Sequence, residues 1–328
     1  MTTRLTSLVA LALAGAFFVG CGDDDVAVDM GTAADLGPAV DMGPVTPVCP
    51  AMAPAPMNQM GACCSRLTNS DRLTAPELRL AALRLTAPMG TLSGAVLRAL
   101  LNNSFDGERF NWLIQLSGAP ATGDGPVMVK TGYGERAADG TFAFTMGGAP
   151  MPGAADRWDP ISVTGAITGE SLSTPAYVGA GPLTIPVFDE TDPTLLVVEL
   201  PVFGLTLVSA PLTEERTCVG YRTATNYNTA DGGELRAFIR VEDARARMVT
   251  VGTTLNATLC AVIAGSLTDS TYCDRPQAMW TAKPNSLCTA TSCIANMPGM
   301  MDQCDPDTTC NGWELAGEFA AQGVDITN

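Results

Sequence analysis

Asp231-Gly232-Gly233-Glu234-Leu235-Arg236-Ala237-Phe238-Ile239-Arg240-Val241 is the stretch on which the fold class turns. Leu235, Ala237, Ile239 and Val241 alternate with Arg236, Phe238 and Arg240. A period of two places one face of a strand on a core and the other toward water. The Asp-Gly-Gly ahead of it is turn chemistry, so the strand leaves a tight reversal.

The same texture recurs outward in both directions. Phe142, Phe144 and Met146 alternate with Thr141, Ala143 and Thr145 after Asp139-Gly140, which reads as a half-buried strand leaving a turn. Ile161, Val163 and Ile167 share that period, with Gly165 in phase. Leu195-Leu196-Val197-Val198 is apolar on both faces and predicts a central strand. Leu205 and Leu207 continue it after a break at Pro201. Residues 75–86 carry a capping-box pattern at Thr74-Ala75-Pro76-Glu77, yet Leu78/Leu80 and Leu83/Leu85 pair at strand spacing, and strand is the preferred reading. Helical spacing is expected for Leu92, Val96, Leu97, Leu100 and Leu101. It is expected again for Leu255, Leu259, Val262 and Ile263, closing at Gly265. Short strands between Gly/Pro turns predict a mainly β fold. Sandwich-like antiparallel sheets, or a barrel, would carry two or three short helices.

Residues 260–310 hold six cysteines and almost no periodic pattern. Crosslinks there would supply order that burial cannot, and a strand resumes around Trp313–Ile326. Of eleven cysteines, setting Cys21 aside leaves an even set: Cys49, Cys63, Cys64, Cys218, Cys260, Cys273, Cys288, Cys293, Cys304 and Cys310. An even set in an exported chain reads as a disulfide framework whose pairing the sequence leaves open. A bond between the neighbours Cys63 and Cys64 would be strained, so they are expected to reach separate partners. Thiolate metal sites are the competing reading for Cys288/Cys293 and Cys304/Cys310.

Export is written at the start. Met1-Thr2-Thr3-Arg4 is followed by an apolar run over residues 8–20, too short to span a membrane, which takes about 20 residues. Phe18-Val19-Gly20-Cys21 resembles the lipobox of bacterial lipoproteins, with Phe18 where that family usually has Leu. In style the chain also resembles envelope lipoproteins of myxobacterial-type genomes. The resemblance implies cleavage of the signal peptide 1–20 and acylation of Cys21. It thereby implies a protein held by lipid in the cell envelope, at the outer membrane or facing the periplasm. Residues 21–65 would be the acylated cysteine and a tether. It carries six acids, no base, and the degenerate repeat Asp29-Met30-Gly31, Asp35-Leu36-Gly37-Pro38, Asp41-Met42-Gly43-Pro44. Such a segment buries too little to offset its chain entropy. Residues 66–328 would form the β-rich globular domain, with 257–328 its cysteine-rich part.

Composition narrows the chemistry. A formal net charge of −16 argues against nucleic acid, whose phosphates demand a basic surface. It also leaves the lipid, not surface charge, to hold the membrane. The absence of histidine removes Ser-His and Cys-His nucleophile pairs and His-ligated metals. Lys130 and Lys283 are the remaining lysines; neither lies in a Ser-x-x-Lys motif, and both read as surface charges.

Three constellations remain. Asp302, Asp305 and Asp307 could offer calcium alternating oxygens, but Pro306 and two cysteines break a regular loop spacing; a turn satisfied by its own carboxylates is the plainer reading. Asp189-Glu190-Thr191-Asp192-Pro193 is a second acidic turn. Met57, Met60, Met297, Met300 and Met301 could hold Cu(I) through thioethers, though methionine also serves as apolar filler. Paired carboxylates could hydrolyse a glycan without histidine, but no pair stands out. Trp112, Trp158, Trp280 and Trp313 could stack on sugars, against the commoner fate of core burial. The expectation is therefore an envelope lipoprotein with a binding or structural role and no resident cofactor. Its ligand, protein or glycan, is not specified. An exported carboxylate-dependent glycan hydrolase and a calcium- or copper-binding protein are the alternatives. Intact mass of the membrane-extracted protein should carry an acyl adduct at Cys21 and gain two hydrogens per bond on reduction; an unacylated product with free thiols would overturn this placement.

Overall fold

The computed structural model describes residues 73–88, 104–105, 109–147, 157–189, 192, 195–213, 216–222, 227–228, 232–251, 255–297 and 301–327. The chain divides into two units, 1–46 and 47–328, and the described residues all belong to the second. The helix expected over 92–101, the tether, Cys21, Cys49, Cys63 and Cys64 lie outside them.

In chain order the strands are β1 Glu77–Ala87, β2 Trp112–Ser117, β3 Gly125–Arg136, β4 Phe142–Phe144, β5 Ile161–Thr168, β6 Ser171–Ser173 and β7 Leu183–Phe188. There follow β8 Leu196–Pro211, β9 Cys218–Val219, β10 Tyr221–Arg222, β11 Tyr227–Asn228 and β12 Gly233–Arg240. Helix α1 is Val241–Ala246, β13 Met248–Val251, β14 Leu255–Thr258, and helix α2 Leu259–Ala264. The chain ends in β15 Ser286–Cys288, β16 Cys293–Ala295, β17 Gly312–Gly323 and β18 Ile326–Thr327.

The fold is mainly β and antiparallel. Its principal sheet runs β1-β2-β3-β5-β6-β8-β12-β17, and β17 pairs back onto β1 from Leu78↔Gly323 to Ala87↔Ala316. Eight strands thus form a closed ring whose opposite walls act as the two layers of a sandwich. Closure removes the exposed sheet edge that would otherwise recruit other chains.

The inner face follows the alternation in the sequence. Trp112, Ile114 and Leu116 of β2 and Val127, Val129 and Thr131 of β3 are buried, whereas Met128 between them is exposed. Ala237 and Ile239 are buried, as their period requires. Leu113 points the other way. It joins Phe142, Phe144, Val324 and Ile326 in a separate small cluster, where β4 and β18 pair in parallel outside the ring. Glu77 sits beneath this cover, accepting hydrogen bonds from Gln115 Nε2 at 2.9 Å and from the Ile326 amide at 2.8 Å. Arg79 donates to Asn111 Oδ1 and lies over the Phe142 ring.

Several elements depart in detail from the sequence expectation. Pro201 does not interrupt β8: on the β12 side the ladder begins only at Phe203, so a residue without an N–H is tolerated there. The kink falls instead at Gly204, whose φ of 59° is open to glycine at no steric cost. Val241 starts α1, which the period-two reading did not anticipate. Leu255 belongs to β14, and helix α2 begins four residues later, with Thr258 Oγ1 accepting from the Ala261 amide. Met146 is exposed because β4 ends at Phe144. The preferred strand reading of residues 75–86 holds as β1.

One end of the ring is sealed. Leu116, Val127, Ile167, Leu172 and Ala210 fill it, each nearly inaccessible. The β5–β6 turn, Gly169-Glu170, has positive φ at both positions, the geometry that matches strand twist but strains a non-glycine residue. Arg216, also at positive φ and 2% exposed, donates to the carbonyls of Leu73 and Pro120 and to Glu170 Oε2. One guanidinium therefore ties together three separate loops. Arg216→Met keeps the stem but leaves the part-buried carbonyls of Leu73 and Pro120 without this donor, and should lower unfolding free energy by about 1–3 kcal/mol. Glu170→Gln should cost under about 1 kcal/mol, because that carboxylate is nearly half exposed. Urea midpoints of the two variants test the ranking.

Candidate functional site

Toward the opposite end the ring is not filled. A cavity of about 400 Å³ lies between its walls. Leu83 and Leu85 of β1 and Ile161 and Val163 of β5 face it, as do Leu205 and Leu207 of β8 and Leu235 of β12. All seven are only partly buried although they line the interior. That is the signature of wall residues with empty space in front of them. Aromatic edges come from Phe110, Trp112 and Phe188.

Two features shape the space. The first is the thin seam between β5 and β8. Strand β6 meets β8 through two residue pairs only. Beyond it an irregular segment carries the ladder on, with the Thr174 amide donating to Leu207 O and the Tyr177 amide to Leu205 O, each at 2.9 Å. Thr174 and Tyr177 line the cavity from this segment. A Cβ at Gly179 would meet the Tyr177 ring within 3 Å, so glycine there lets the ring fold back along its own loop. The second is the cover at the helical end. Helix α2 contributes Leu259 and Val262, and Leu267 and Thr268 follow it on the cavity wall. Leu267 is 43% exposed, so the cavity reaches the surface beside it. Helix α2 is fastened to the following loop by the Cys260–Cys273 disulfide.

No charged side chain lines the cavity among the described residues; its polar groups are Thr131, Thr174, Tyr177 and Thr268. Thr131 already donates to Leu113 O, and Thr174 accepts from the Leu207 amide. A buried ion pair lies in β8, at a residue that does not line the cavity. Glu199 receives Trp158 Nε1 at 2.9 Å and Arg247 at 3.2 Å. Tyr133 packs on Trp158 and Phe188, where burial drives its hydroxyl well above the ordinary tyrosine range. Among the described residues no carboxylate or thiolate faces this space.

The residues singled out in the sequence fall elsewhere. Asp305 is a turn former: its carboxylate accepts from the Asp307 amide and Thr308 Oγ1, and its carbonyl from the amides of Thr308, Thr309 and Cys310. Asp307 pairs with Lys283. Asp302, Asp305 and Asp307 are not drawn to one centre, and among the described residues no group of three or more acids or thiolates could hold a metal. Asp189 Oδ1 likewise accepts from the Asp192 amide. The thiols are committed to bonds: Cys260–Cys273, Cys288–Cys293 and Cys304–Cys310, with Cys218 also bonded. All four tryptophans are buried, and only Trp112 touches the cavity. Lys130 sits over the Phe144 ring. The cavity itself was missed, because alternation marks which residues face inward but not whether they meet. No family model, curated protein or solved structure matches the chain.

The turn-forming aspartates fix a pH dependence. Hydrogen bonds from Thr141, Thr271 and Asp307 hold Asp139, Asp269 and Asp305 below the usual aspartate value. A depressed carboxylate stabilises the fold at pH above its unfolded value, about 3.9, and loses that contribution as pH falls through the folded one. The urea midpoint should therefore be flat from neutral pH to about 5 and decline below about 4. Replacing all three by Asn should flatten the acid limb.

Proposed function

We propose that this protein is a binding protein of the cell envelope that holds one small apolar ligand inside its barrel. The observation that carries the reading is the interior cavity of about 400 Å³, on whose wall no charged side chain stands among the described residues. Eight strands make a ring whose inside is either just filled by side chains or just able to hold a small molecule. Here one end is filled and the other is not. Packed interiors do not keep voids of this size without cost, since cavity surface destabilises in proportion to its extent. An apolar pocket of 300–1,000 Å³ with a few polar groups is the usual form of a ligand site.

Disulfides place the chain in an oxidising, extracytoplasmic compartment. Among the described residues no helix is long and apolar enough to cross a membrane. The acyl anchor at Cys21 and residence at the outer membrane complete the proposal. They rest on the Phe18-Val19-Gly20-Cys21 resemblance, and would hold the barrel close to a source of apolar ligand. The hydrolase reading finds no support in this cavity, whose wall carries no carboxylate among the described residues.

The test is direct. The neutral apolar dye N-phenyl-1-naphthylamine should bind at a saturable site and quench Trp112. Val163→Trp, which fills the space from β5, should weaken dye binding at least about tenfold while holding or raising the melting temperature, because occupying a void restores packing contacts. Non-saturable dye uptake, or an unchanged affinity in the filled variant, would refute the reading.

A further inference from the structure

We infer that the ligand is an electrically neutral, single-chain aliphatic molecule, and that the cavity rejects the ionised form of the same chain. This rests on the binding reading above and specifies its chemistry. Four observations bear on it.

The wall carries no charge among the described residues. A carboxylate or ammonium drawn inside would lose its hydration and meet no counter-ion, a cost so large that such a group takes up or sheds a proton instead. The hydrogen-bonding capacity is also small. Thr131 and Thr174 are engaged with backbone partners. Tyr177, Thr268 and the hydroxyl hydrogen of Thr174 are what remains to meet a hydroxyl or ester, and Thr268 lies where the cavity reaches the surface. Finally, the surrounding field is wrong for anions, with thirty-four acids against eighteen bases in the chain. Like charge lowers the local concentration of an anionic amphiphile.

Volume sets the number of tails. An apolar cavity of about 150 Å³ takes one benzene, so about 400 Å³ accepts on the order of fifteen carbons. Two-tailed phospholipids exceed that. Fatty alcohols and monoacylglycerols of medium length fit.

The magnitude follows from proton linkage. A fatty acid has the ordinary carboxyl pKa, about 4.3 by analogy with glutamate. To bind uncharged at pH 7 it must first take up a proton, which costs a factor of about 500 in apparent affinity relative to an uncharged analogue. That factor shrinks about tenfold for each unit the pH falls toward 5.

The experiment uses the full chain bearing Cys21→Ser, which removes the acylation site, with bound N-phenyl-1-naphthylamine as reporter. Dodecanol, dodecanoate and dodecylammonium compete for the dye at pH 5, 6 and 7. The expected result is tight, pH-independent displacement by dodecanol. Dodecanoate should be several hundred-fold weaker at pH 7, gaining about tenfold per unit on acidification, and dodecylammonium should be weaker still. Dodecanoate or dodecylammonium within about threefold of dodecanol, with a flat pH profile, would overturn the inference and leave the binding reading standing. Dye that binds no saturable site would instead remove the binding reading itself. As a converse, Leu235→Lys should raise dodecanoate to within about tenfold of dodecanol at pH 7; the pH slope of the unsubstituted wall decides the matter if that variant fails to fold.

Discussion

Everything in this molecule depends on the antiparallel seam between β1 and β17, strands separated by more than two hundred residues in the chain. With that seam the sheet has no free edge along its main ring, and the inner faces of eight strands enclose a common space. Without it the same strands would present an open, twisted sheet, and the residues around the cavity would line a wet face. The pairing carries two register shifts, at Leu80/Ala82 and Leu85/Ala87. Such bulges increase local twist and help a sheet curl shut. Closure costs chain entropy because its contacts are non-local, and the filled end with its Arg216 clamp is where that cost is most visibly offset.

The ring is unequal along its axis. At the sealed end the inward positions hold large side chains that meet, and buried polar groups are satisfied by one guanidinium and three loops. At the other end the inward positions are similarly apolar, but the walls stand apart and a six-residue helix contributes Leu259 and Val262 to the cavity wall. Function is read from that difference. A uniformly packed barrel would need no ligand, and one with charged inner positions would suggest a different guest.

Much of the architecture was legible in the sequence because it rests on local alternation. Leu235, Ala237 and Ile239, then Ile161, Val163 and Ile167, announce their strands and the faces they bury. The strand at Trp313 and the crosslinked loop before it were legible for the same reason: one has a pattern and the other has cysteines in its place. What was not legible is what pattern cannot encode. Ring closure is a pairing between distant segments. Gly204 takes over the irregularity that Pro201 suggests, because the break depends on which side of β8 is laddered. Helix α1 hides behind Val241, whose apolar character suits a strand or a helix start equally. The cavity was the least legible of all. Leu205 and Leu207 look identical in sequence whether they touch the far wall or face a void. The aspartates at 302–307 attracted notice for the opposite reason, since residue types that can bind metal also make turns.

The three described intradomain bridges close short loops, with separations of 13, 5 and 6 residues, and none of them staples the ring itself. Cys260–Cys273 fastens the lid-side helix; Cys288–Cys293 and Cys304–Cys310 tidy the excursion before β17. These three bridges thereby pin a fringe that borders the hollow, while the ring strands themselves pair through backbone and burial. Through these three bridges, thiol chemistry reaches the rim of the container and leaves its staves alone.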